Sequence, residues 1–97
     1  MAYVMTHIEV GDFDAWKPMF DLDAPHARQD AIGYRLFRGV DNPNEVFIEI
    51  EFATTEAAVS ARDRLVRSGV LDRFDDRHGP TVVDTAEVIS RRSSAAE

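Results

Sequence analysis

Three features of the sequence predict an α+β domain in the order β-α-β-β-α-β. Ala2–Val10 and Glu45–Phe52 alternate apolar and polar residues with the period of a half-buried strand. Two stretches behind Asp12 and Thr54 carry apolar residues at helical spacing. Clusters of turn formers, above all Gly39-Val-Asp-Asn-Pro-Asn44, separate the remaining extended segments.

In the first strand Val4, Thr6, Ile8 and Val10 share one side, and Tyr3, Met5, His7 and Glu9 share the other. Gly11-Asp12 ends it, with Asp12 as helix N-cap. Phe13, Trp16, Phe20 and Ala27 then fall on one face of a helix, which is expected to restart at Pro18 and to kink at Pro25 before His26. After Gly33, Tyr34–Arg38 reads as the second strand.

Glu45–Phe52 is the clearest strand, with Val46, Ile48, Ile50 and Phe52 inward and Phe47, Glu49 and Glu51 opposite. Thr54 caps the second helix, and Glu56 in its first turn suits the helix dipole. Ala58, Ala61 and Leu65 form its apolar seam, and Asp63 and Arg67 are spaced for a surface pair. Ser68-Gly69 stops the helix. A short further helical turn is expected over 70–74, then a last β-branched strand over 81–89 after Gly79-Pro80. Arg91–Glu97 is expected to be a disordered polar tail, leaving 1–90 as the domain. The result is a ferredoxin-like antiparallel sheet with both helices on one face.

Composition narrows the function. The 97 residues suit one domain of modest core. A net charge of −7 with scattered basic residues argues against a nucleic-acid partner, which needs clustered Lys and Arg. The absence of cysteine excludes a disulfide framework or a thiolate zinc site. No signal-peptide pattern and no apolar run of about 18 residues occurs, so no membrane partner and a cytoplasmic location are expected. The sheet face without helices carries Tyr3, Met5 and Phe47, which predicts a homodimer through that face. His7 lies there, and Glu49 on the neighbouring strand is its expected partner.

Gly33-Tyr-Arg-Leu-Phe-Arg38, Asp41–Phe52 and Thr54-Thr-Glu-Ala-Ala58 together resemble the antibiotic biosynthesis monooxygenase-like family. The resemblance implies a dimeric α+β barrel, in which two ferredoxin-like sheets pack face to face. It also brings in cofactor-free oxygenases of polyphenols, polyketide cyclases and haem-degrading enzymes. The haem-degrading members place an asparagine where this chain has Thr6 and a tryptophan where it has Phe52. Their histidine falls near Asp75, with His78 a turn away, and these departures count against haem degradation.

A cofactor-independent monooxygenase or cyclase acting on an aromatic or polyketide-like molecule is therefore the expected function. Trp16, Phe20, Phe52 and Thr6 are the expected substrate-binding residues, in a pocket between helices and sheet. Trp16 and Phe20 equally suit plain core packing. His26, at a mouth opened by Pro25, and His78, among Asp75, Asp76 and Arg77, are the candidate proton-moving residues, since imidazole titrates near neutrality. The three histidines lack close metal-ligand spacing, and no phosphate loop, dinucleotide fingerprint or nucleophile elbow occurs, so neither metal nor cofactor is expected. The alternatives are a non-catalytic binding protein for a small hydrophobic metabolite and a purely structural dimer.

Overall fold

A computed structural model describes residues 1–90. The expected polar tail, 91–97, lies outside the described residues. The elements are β1 (Ala2–Glu9), α1 (Phe13–Leu22), β2 (Gly33–Arg38), β3 (Glu45–Phe52), α2 (Thr55–Ser68) and β4 (His78–Asp84). The sheet is antiparallel throughout, in the order β2-β3-β1-β4, and the fold is ferredoxin-like α+β.

The alternation in β1 and β3 does what it predicts. Ala2, Val4, Thr6 and Ile8 are buried on the helix side, opposite Phe52, Ile50, Ile48 and Val46 of β3. Ala58 and Ala61 of α2 close on this layer. Small residues there let α2 lie close to β1, β3 and β4. The Thr54 hydroxyl accepts from the Ala57 amide, and Gly69 ends α2 in the left-handed region.

The helical segments depart from expectation in three places. α1 runs straight through Pro18 and ends at Leu22, where Asp23 adopts a left-handed φ of 48°. Pro18 is exposed, as is Asp14, whose carbonyl it cannot bond, so the missing hydrogen bond is left to solvent. Pro25 and Ala27 therefore lie beyond the helix rather than kinking it. Residues 70–74 form hydrogen-bonded turns, Asp72 N–H to Gly69 and Phe74 N–H to Leu71, both 3.1 Å, because left-handed Gly69 has already broken the helical path.

β4 is shifted toward the N-terminus relative to the expected 81–89. It passes through Gly79-Pro80 with a register irregularity opposite Met5 and His7. It ends at Asp84 because Asp84 pairs with Ala2, the first residue of β1, and the chain beyond has no strand to bond. Two ion pairs also differ. Asp63 bonds Arg62, Nε to Oδ1 at 3.0 Å, rather than Arg67. His7 bonds Glu45 at 2.9 Å, while Glu49 is taken by Arg35, Nε to Oε1 at 2.6 Å.

Candidate functional site: a cavity beneath the first helix

The two helices sit on the sheet differently. No Cα of α1 comes within 8 Å of a Cα in another helix or strand, whereas α2 approaches three strands. α1 is held at both ends and stands off in the middle. At its start Asp12 caps the Asp14 amide, and Asn44 from the β2–β3 turn accepts from the Phe13 amide at 3.0 Å and donates to the Gly11 carbonyl at 3.1 Å. At its end the Asp23 carboxylate accepts from the Ala27 and Arg28 amides at 2.9 and 3.0 Å. The Arg28 guanidinium donates to the Phe20 carbonyl, and Arg64 of α2 donates to the His26 carbonyl at 3.1 Å.

Aromatic side chains fill only part of the resulting gap. Phe13, Trp16, Phe20 and Tyr34 form a chain of rings with centroid spacings of 5.8, 5.0 and 5.5 Å. Beneath Trp16 and Phe20 remains a cavity of about 280 Å³. Thr6, Ile8, Ile48 and Ile50 line it from the sheet, Leu65 from α2, and Leu71 and Phe74 from the turns after α2. The lining is almost wholly apolar, with a few polar groups, the usual composition of a small-molecule site.

Those polar groups are specific. Thr6 is 5% exposed, and its hydroxyl makes no hydrogen bond among the described residues. Asp23 is the only carboxylate of the lining among the described residues, and its oxygens are engaged by the two amides of its own turn. Arg28 is the enclosed cation of the lining, its side chain 11% exposed. Arg73 is exposed at the rim, with its Nη2 3.6 Å from the Met19 sulfur.

Of the residues singled out in the sequence, Trp16, Phe20 and Thr6 come together around this cavity. Phe52 does not line it. It is fully enclosed in the core with Ala58 and Ala61, two residues or about 7 Å along β3 from cavity-lining Ile50. His26 is exposed in a left-handed turn (φ 57°) and lies outside the lining, although its neighbours Pro25 and Ala27 belong to it. The expected kinked helix would have aimed its ring inward; the turn after Asp23 aims only its carbonyl, at Arg64. His78 is on the helix-free sheet face, stacked 5.4 Å from His7, with Asp76 3.8 Å from its Nε2. Arg28, Asp23 and Arg73 were not singled out, because the stretch 23–32 has no periodicity to assign a facing.

The helix-free face is a second feature. His7 stacks on Phe47 with centroids 4.2 Å apart. Phe37 and Phe47 remain 48% and 38% exposed beside Tyr3 and Met5. Among the described residues no helix is long and apolar enough to cross a membrane.

No protein-family model matches the chain, and no curated protein matches it. Solved structures do. A protein from Nitrosomonas europaea, provisionally named an antibiotic biosynthesis monooxygenase, superposes with a TM-score of 0.61 at 14% identity, covering 90% of this chain and 100% of its own. A protein from Deinococcus radiodurans with the same provisional name superposes with a TM-score of 0.60 at 14% identity, covering 94% of this chain and 98% of its own. At that identity the shared property is the fold.

Proposed function

We propose that the chain holds a small aromatic molecule in the cavity beneath α1, and that the site serves oxygenation or cyclisation of that molecule without a bound cofactor. The observation that carries this reading is the standoff of α1: a helix anchored at both ends leaves 280 Å³ of apolar space between Trp16, Phe20 and the sheet. The names of the two superposed structures favour the monooxygenase side of the reading. A flat ring would stack against Trp16 and Phe20, and the unpartnered Thr6 hydroxyl would bond one polar substituent. A cavity of this size suits one or two fused rings, being at the small end of ligand pockets.

Non-catalytic binding is the second reading, and one observation favours it. Among the described residues no histidine lines the cavity, so a reaction there would draw on Asp23 or on the ligand's own acidity for proton transfer. Incubation with hydroxylated naphthalenes and anthrones under air, following oxygen uptake and product mass, separates the two. Oxygen consumption or loss of water supports an enzyme. Saturable binding without product supports a carrier, and no binding leaves a structural dimer.

We also propose that the helix-free sheet face pairs with a second copy in a dimeric α+β barrel. Tyr3, Met5, Phe37, Phe47 and His7 make it apolar enough to need a cover, and a symmetric copy brings a matching surface. A cytoplasmic location belongs to the same proposal and accords with the absence of cysteine.

A further inference from the structure

Arg28 is enclosed, yet its guanidinium is incompletely satisfied. One face lies 3.7 Å from the Phe20 ring centroid and the Tyr34 centroid is 5.0 Å away. Nη2 donates to the Phe20 carbonyl. Nε stands 3.8 Å from Asp23 Oδ1, too far for a hydrogen bond, and that carboxylate is already bonded by two backbone amides. Nη1 is shielded from solvent and has no partner among the described residues.

Buried polar groups are satisfied in nearly all folded proteins, and a charged donor without an acceptor is the costliest exception. Simple packing would be served as well by an apolar side chain. The remaining lining of the cavity offers no free acceptor for it: Asp23 is engaged, and Thr6 brings one hydroxyl from the sheet floor. What the wall lacks is an anionic oxygen beside aromatic surface.

We propose that the cavity's ligand is a one- or two-ring aromatic bearing an anionic oxygen, carboxylate or phenolate, and that Arg28 is the residue that holds it. The inference rests on the reading of the cavity as a ligand site and adds the charge class of the ligand. The planar guanidinium, already stacked on Phe20, is pre-oriented to meet a carboxylate edge-on while the ligand's rings continue the aromatic chain toward Trp16. Arg73 at the rim adds a second positive charge on the approach to an otherwise acidic protein.

Isothermal titration with 2-naphthoate, 2-naphthol and naphthalene-2-carboxamide tests this on the intact chain. The carboxamide matches the naphthoate in shape without its charge. Wild type is expected to bind 2-naphthoate at least tenfold tighter than the carboxamide, and 2-naphthol to gain on the carboxamide only as pH rises through its own ionisation if a phenolate is the form held. Arg28→Gln is expected to erase the naphthoate preference while leaving carboxamide affinity within twofold, and Arg28→Lys to restore part of it. Equal affinity of wild type for naphthoate and carboxamide overturns the anion proposal and leaves the cavity reading standing. Equal weakening of both probes by Arg28→Gln makes Arg28 merely structural and likewise overturns it. If none of the three binds, both the proposal and the cavity reading fall. The wild-type comparison decides the matter even where Arg28→Gln does not fold.

Discussion

His7 on β1 reaches diagonally to Glu45 on β3, Nε2 to Oε2 at 2.9 Å, although Phe47 is its direct cross-strand partner. Glu49 lies on the other diagonal and is held by Arg35, which stands directly opposite it on β2. Both groups of the His7–Glu45 pair are about a third exposed, 32% and 38%, so solvent screens the interaction. A double-mutant cycle of His7→Ala and Glu45→Ala should give a coupling of about 0.2–1 kcal/mol in favour of the pair. The cycle of His7→Ala with Glu49→Ala should give none, and a larger coupling there would reverse the assignment.

Thr6 supplies a sharper separation of stability from binding. Its hydroxyl is buried without a partner, so replacing it by a methyl removes a desolvated polar group. Thr6→Val should leave thermal stability unchanged or raise it by up to about 1 kcal/mol. Affinity for a hydroxylated two-ring aromatic should fall severalfold. A loss of stability with binding intact would assign Thr6 to the scaffold.

Gly79 and Gly69 both adopt positive φ, 90° and 76°, but their surroundings differ. A Cβ at Gly79 would lie 2.5 Å from the Met5 carbonyl oxygen, backbone that cannot move aside, while one at Gly69 would meet only the Asp72 carboxylate at 3.5 Å. Gly69→Ala should cost about 1 kcal/mol, the ordinary penalty of a left-handed alanine. Gly79→Ala should cost several times that by chemical denaturation. Equal costs would count against the close approach of β4 to β1.

The proposed dimer face can be tested with one charge. Phe47 is 38% exposed at the centre of the helix-free face, stacked on His7. Sedimentation at micromolar concentration should give a dimer for the wild type and a monomer or aggregate for Phe47→Asp. A wild-type monomer would remove the α+β barrel from the proposal.

What the sequence could and could not reveal follows from which constraints are local. β3 is legible in full because each of its residues has one side toward the core and the period of two states which. The caps Asp12, Thr54 and Gly69 are legible because their bonds lie within a few residues. The partner of His7 is not, since Glu45 and Glu49 are equivalent diagonals in the register and only Arg35, from a third strand, breaks the tie. The end of β4 depends on where β1 begins, a fact of pairing rather than of β-propensity. Arg28 and His26 exchange roles for the same reason. The left-handed Asp23 ends α1 before Pro25, turning His26 outward and Arg28 back beneath the helix.

The central claim is that the space beneath α1 receives an aromatic ligand, and Trp16 reports on it directly. Trp16 is the chain's single tryptophan, 8% exposed and part of the cavity wall. Its emission should therefore be poorly quenched by collision with a small aqueous quencher. Titration with 1,4-naphthoquinone should instead quench it saturably, to a one-to-one end point per chain, and Trp16→Phe should weaken calorimetric binding of the same compound while the protein stays folded. Emission that is unchanged, or that falls only linearly with concentration as a collisional quencher would make it, would contradict a ligand site beneath the helix.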